Sequence, residues 1–215
     1  MRIAILFFSV TIHAATFMEQ AQGLTHSLLD QIIKTPFIQE LSNGTLINTK
    51  FRYYRAQDNL YNLHYADTLA LLATKTETIS TKVFLFSAAL RTTQALIPTE
   101  NRTQCPSCSA YSRYERAQVD ASFEQGLAAI LPCYTVYATV AEWLYNHSTA
   151  NNPYGNWIKH YASPGFDNHT RQIEDISDTV FAAQGAPEQR AMLEIYRNST
   201  QYELEFWQSA FNLGK

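Results

Sequence analysis

The segment AILPCYTVYATVAEWLY, residues 129–145, reads as a strongly apolar helix that sets the class of the whole chain. Pro132 has no backbone N–H, so it starts or kinks the helix at that point. Cys133 follows at once. A thiol just past such a break feels exposed amide groups, which favour the thiolate. The alternative is a small, inert core cysteine. Tyr137 lies one turn further on and shares the thiol's face.

Helical spacing continues on both sides of this segment. Phe17, Ala21, Leu24, Leu28, Leu29 and Ile32 mark a helix over 17–34, closed by Thr35-Pro36. A short helical turn over 36–41 ends at Ser42-Asn43-Gly44. Long amphipathic helices are expected over 50–74 and 77–97, then a loop over 98–108. Tyr111–Ser122 and Phe123–Asn146 read as two helical pieces, or as one bent helix. A loop over 149–156, a short helix over 157–161, a helix over 166–184 and a last one over 188–211 complete the chain. No segment alternates with period two. The expected fold is therefore all-α: a single-domain bundle of seven or eight helices.

The bulk numbers agree with that class. Of 215 residues, 46% are hydrophobic and 13% aromatic, enough to build one sizeable core. A formal net charge of −3 gives no reason to expect nucleic acid or an anionic membrane as partner. Residues 1–15, MRIAILFFSVTIHAA, read as a secretory leader, with Arg2 before an apolar run and Ala14-Ala15 at its end. The other readings are a buried extension of the first helix, or a true start at Met18. Domain organisation is thus a leader over 1–15 and one helical domain over 16–215. Export goes with the first reading, a cytoplasmic protein with the others.

Three residues stand out as candidates for chemistry. Asp58 shares the face of Tyr61 and Tyr65 on the helix over 50–74. A carboxylate on an apolar face must be paired, or aimed at a polar ligand. Glu203 lies three and four residues before Phe206 and Trp207, so it leans toward the core, whereas Glu205 points elsewhere. A buried glutamate with a raised pKa suits general acid–base work. Cys133 is the third. Tyr111, Tyr114, Tyr134, Tyr137 and Tyr161 are candidates to wall a pocket for a flat heterocycle. Six histidines include no HExxH and no Glu-x-x-His pair, which argues against a zinc or di-iron bundle. Cys105 and Cys108, in QCPSC, read as a small disulfide ring, a redox pair or half of a metal site.

Four blocks together resemble one family: TPFIQELSNGTL with KFRYYRAQDNLY, then LPCYTVYATVAEWL, YGNWIKHYASPGF and NSTQYELEFWQSAF. In this order, over about residues 18–211, they look like the TenA family, also called thiaminase II. The resemblance implies a haem-oxygenase-like bundle that works without haem or any other cofactor and assembles as a homotetramer. It implies hydrolysis of 4-amino-5-aminomethyl-2-methylpyrimidine, or of thiamin, to the hydroxymethyl pyrimidine. By the same resemblance Cys133 is the nucleophile and Glu203 the proton shuttle. Asp58 would hold the aminopyrimidine edge, and Tyr61, Tyr111, Tyr137 and Tyr161 would stack on the ring or hydrogen-bond near the thiol. A binding module that holds the pyrimidine without turnover is the alternative. The chain departs from the family pattern in its leader, in QCPSC, and in His64 and Asp67.

Overall fold

The computed structural model describes residues 15–97 and 103–215, and their regular structure is entirely helical. Apart from Ala15, the expected leader lies outside the described residues. Ten helices run in the order α1 (Phe17–Ile33), α2 (Pro36–Asn43), α3 (Asn48–Thr74), α4 (Ile79–Gln94), α5 (Pro106–Ala121), α6 (Phe123–Ile130), α7 (Pro132–His147), α8 (Gly155–Tyr161), α9 (Pro164–Ala182) and α10 (Ala186–Phe211). The all-α expectation holds, but the expected count was too low. The turn expected over 36–41 is a full helix to Asn43, and the segment after Ser122 divides at Leu131.

Local chemistry places the breaks. Thr16 and Glu19 form a reciprocal capping box at the start of α1. Thr35 caps α2, Pro36 occupies its first turn, and Gly44 closes it in the left-handed region, φ 72°. Ser122 is extended at φ −157°; it ends α5 and its hydroxyl accepts from Gln125 N at 3.1 Å to start α6. Pro164 sits in the first turn of α9 behind the Ser163 cap. The expected break at SPGF is therefore a helix start. Likewise α5 begins at Pro106 rather than Tyr111, because Cys105 takes the cap position and Pro106 the first turn.

The central helices are α3 and α10. α10 packs on α1, α2, α3, α5, α6 and α7, and α3 packs on α4, α5, α6 and α10. Where they meet, Trp207 stacks on Tyr54 with centroids 5.1 Å apart and planes 16° apart, and Phe37 of α2 closes on both at 5.4 and 5.3 Å. Each such pair adds about 0.5–1.5 kcal/mol beyond its buried area. One close approach fixes α6. A Cβ added at Gly126 would sit 2.8 Å from both Leu72 Cδ1 and Val119 Cγ2, and 2.9 Å from Val119 Cα. Only glycine lets α6 lie this deep against α5 and α3. Leu131 keeps helical backbone angles, φ −66° and ψ −37°, so α6 carries on into α7 and hands that position to Cys133.

Candidate active site

A cavity of about 780 Å³ opens between α3, α4, α7, α8 and α9. This falls in the usual range for small-molecule sites. Of the residues singled out from the sequence, Asp58, Cys133, Tyr137 and Tyr161 line it. Tyr61, Tyr111 and Glu203 are buried side chains absent from its lining, and they meet one another and the thiol from the core. Tyr134 also lines the cavity, whereas Tyr114 does not. Tyr114 receives a hydrogen bond from Asn198 Nδ2 at 3.4 Å instead. His64 and Asp67 face solvent on the outer side of α3, so their polarity makes no demand on the core.

The α3 face that turns inward is polar as well as aromatic: Tyr54, Gln57, Asp58, Tyr61, Tyr65 and Leu69 recur at helical spacing and are all buried. Asp58 is held by the Arg55 guanidinium, Nη1 to Oδ2 3.6 Å, and by Asn62. Burial still outweighs both and pushes its carboxyl up to about 6. Tyr137 leans on Tyr161, centroids 5.1 Å apart, and on Trp207, 5.3 Å apart. The indole N–H of Trp157, another lining residue, has no hydrogen-bond partner among the described residues.

Two acids stand in the core behind the thiol. Glu203, 1% exposed, accepts from the Tyr111 hydroxyl at 3.1 Å. Burial pushes its carboxyl up to about 8, and the charge of Asp58 adds to the rise. Glu205 is half-buried and accepts from Gln201 Nε2 at 3.2 Å. The second acid, Glu115, was not singled out from the sequence. It is 1% exposed and accepts from the Tyr61 hydroxyl at 2.7 Å. Burial raises its pKa, and Glu203 adds to the rise. Its signal was present in YSRYE, because Glu115 lies four residues after Tyr111 and so on the same face of α5.

The expected thiolate at Cys133 is corrected by this setting. Burial pushes the thiol well up, and the Glu203 and Glu115 carboxylates push it further against a single opposing hydrogen bond from Tyr61. The helix break offers no compensating amides, because Tyr134 N and Thr135 N are already bonded to Leu131 O at 3.0 and 3.1 Å. The site therefore rests with a protonated thiol beside a carboxylic acid that titrates near neutrality. Such a pair can deliver a proton and take one back without bulk water. The aromatic walls suit a flat ring, and Asp58 offers that ring an acceptor beside a cation.

Comparison with known proteins adds an independent line. The model of the TENA/THI-4/PQQC family matches residues 25–97 and 96–213. The aminopyrimidine aminohydrolase of Bacillus subtilis (strain 168) is 30% identical over 212 residues, 91% of this chain and 89% of its own length. The aminopyrimidine aminohydrolase of Helicobacter pylori is 28% identical over 204 residues, 86% of this chain and 94% of its own. Among solved structures, a TenA homologue from P. horikoshii superposes with a TM-score of 0.81 at 23% identity, over 93% of this chain and 100% of that one. A domain of unknown function with a haem-oxygenase-like fold from Shewanella denitrificans gives 0.68 at 14% identity, over 93% and 94%.

Proposed function

Because the chain belongs to the TENA/THI-4/PQQC family, we propose that it is a hydrolase of thiamin salvage, cleaving the C–N bond of an aminopyrimidine. We assign 4-amino-5-aminomethyl-2-methylpyrimidine, or thiamin, as its substrate. The observation that carries this reading is a thiol on the wall of an aromatic cavity, with an acid of pKa about 8 behind it and Asp58 also in the lining.

The pyrimidine lies against Tyr137 and Tyr161, and its exocyclic amino group donates to Asp58, which is ionised above about pH 6. Cys133 sulfur adds to the electron-poor ring carbon as its proton passes to the ring nitrogen, and the carbon–nitrogen double bond becomes single. With the aminomethyl substrate Glu203 supplies the proton that the departing nitrogen takes, whereas a thiazolium leaves as the neutral thiazole without one; in both cases the bond from that nitrogen to the exocyclic carbon breaks as the ring pushes electrons toward that carbon. Water adds to that carbon and gives up a proton, which Glu203 takes back where it had supplied one. The carbon–sulfur bond then breaks, the ring nitrogen gives back its proton, and the thiol is restored. Net, the aminomethyl substrate consumes one water and releases ammonia and the hydroxymethyl pyrimidine; thiamin consumes one water and releases the neutral thiazole, the hydroxymethyl pyrimidine and a proton. Incubating purified protein with each substrate, with chromatographic detection of the hydroxymethyl pyrimidine, tests this. Absence of product from both overturns it.

Two further parts of the proposal concern assembly and address. Ile79, Val83, Phe86 and Leu90 form an exposed apolar stripe along α4, between 45 and 77% accessible. That stripe supports self-association as a homotetramer, which light scattering checks. Export by residues 1–15 is checked by the intact mass of protein from its native host, which shows whether those residues are removed.

A further inference from the structure

QCPSC is the one motif the hydrolytic site leaves unused. Cys105 is the cap residue of α5, Pro106 sits in its first turn, and Cys108 lies one turn in. Both cysteines are free, and the Cys108 sulfur and backbone amide lie beside the Cys105 sulfur. A Cys-x-x-Cys pair across the first turn of a helix is the arrangement of thiol–disulfide exchange sites. The hydrogen bonds around the two sulfurs differ in kind. Cys105 Sγ takes hydroxyl contacts from Ser107 at 3.3 Å and Ser209 at 3.5 Å. Cys108 Sγ donates to Gln57 O at 3.6 Å and accepts from Gln104 Nε2 at 3.3 Å. Cys105 keeps 7% exposure and Cys108 none.

We propose that Cys105 and Cys108 form a reversible dithiol–disulfide site for low-molecular-weight disulfides, in which Cys105 attacks and Cys108 resolves. The Cys105 thiolate displaces one half of the small disulfide as a thiolate and forms a mixed disulfide. Cys108 then gives up its proton and attacks the Cys105 sulfur, and the second half leaves. Two protein thiols are oxidised and one small disulfide is reduced to two thiols. The Cys108 group beside it, and then the Ser107 and Ser209 hydroxyls, draw the Cys105 pKa down against burial, while Cys105 and then burial drive Cys108 up, so nucleophile and resolving group are told apart. Closure occurs one turn before Tyr111, and Gln57, which holds Cys105 N at 2.8 Å, adjoins Asp58.

The test uses the full chain and needs no substrate turnover. Cleavage after Arg102 and Arg113 releases residues 103–113 with both cysteines, whereas Cys133 falls on a separate peptide. In excess oxidised glutathione this peptide becomes two hydrogens lighter and takes no alkylating label; in reduced glutathione it takes two. Cys108→Ser accumulates the glutathione adduct on Cys105. In the wild type the first alkylation at pH 6 falls on Cys105 at least about tenfold faster than on Cys108. A peptide that keeps both thiols in excess oxidised glutathione overturns the proposal, as does equal alkylation of the two cysteines. The alkylation ratio needs no variant to fold.

Discussion

Tyr61 donates its phenolic proton to Glu115 across 2.7 Å, and the pair stands beside the Cys133 thiol with opposite effects on it. The hydroxyl favours the thiolate, and the carboxylate opposes it. Tyr61→Phe should therefore slow alkylation of Cys133 by iodoacetamide at pH 8. Glu115→Gln should speed it by removing the carboxylate charge that opposes the thiolate. Each unit of pKa change corresponds to about tenfold in thiolate fraction. Shifts of the same sign in the two variants would break the proposed opposition.

Cys133→Ser should abolish release of hydroxymethyl pyrimidine yet leave pyrimidine binding within about threefold, because the ring is held by aromatic walls and Asp58. Isothermal titration beside the turnover assay reads both. Undiminished turnover removes Cys133 from the chemistry.

Glu203→Gln should lower kcat by about 10²- to 10⁴-fold with little effect on binding, the usual cost of losing a positioned acid. Glu205, half-buried and bonded to Gln201, should tolerate the same change within about twofold. Reversed outcomes would mean the working acid lies on the other side of α10.

The pH profile of kcat/KM should be bell-shaped. Activity rises as Asp58 ionises near 6 and falls as Glu203 loses its proton near 8. Asp58→Asn should erase the rising limb. Stability follows its own rule. The folded-state pKa of Glu203 is raised, so its contribution is fully present below the unfolded value near 4.5 and is lost as pH climbs through about 8. The melting temperature of Glu203→Gln relative to wild type should therefore increase between pH 5 and 9, by about 2–4 °C per kcal/mol in a chain of this size. A pH-independent difference would contradict the buried acid.

The parts of this molecule visible in the sequence are those set by short-range rules. Pro132 announces the junction before Cys133, and Asp58, Tyr61 and Tyr65 declare a shared face by spacing alone. Glu203 declares its direction through Phe206 and Trp207. Glu115 stayed hidden because it sits among Arg113, Arg116 and Asp120 on a helix that looks solvated. Its burial depends on α3 and α10 closing over α5, contacts distant in sequence. The protonation state of Cys133 was hidden for the same reason. The local break suggested a thiolate, and acids contributed by α5 and α10 reverse it.

The missing side chain at Gly126 bears on chemistry two turns away. α6 and α7 share one run of helix through Leu131, so the depth to which residue 126 sinks is also the reach of the sulfur into its chamber. A single methyl there would lift the reactive atom off its partners while leaving every catalytic side chain intact. The tolerance for turnover is thus set by a residue that never meets a substrate.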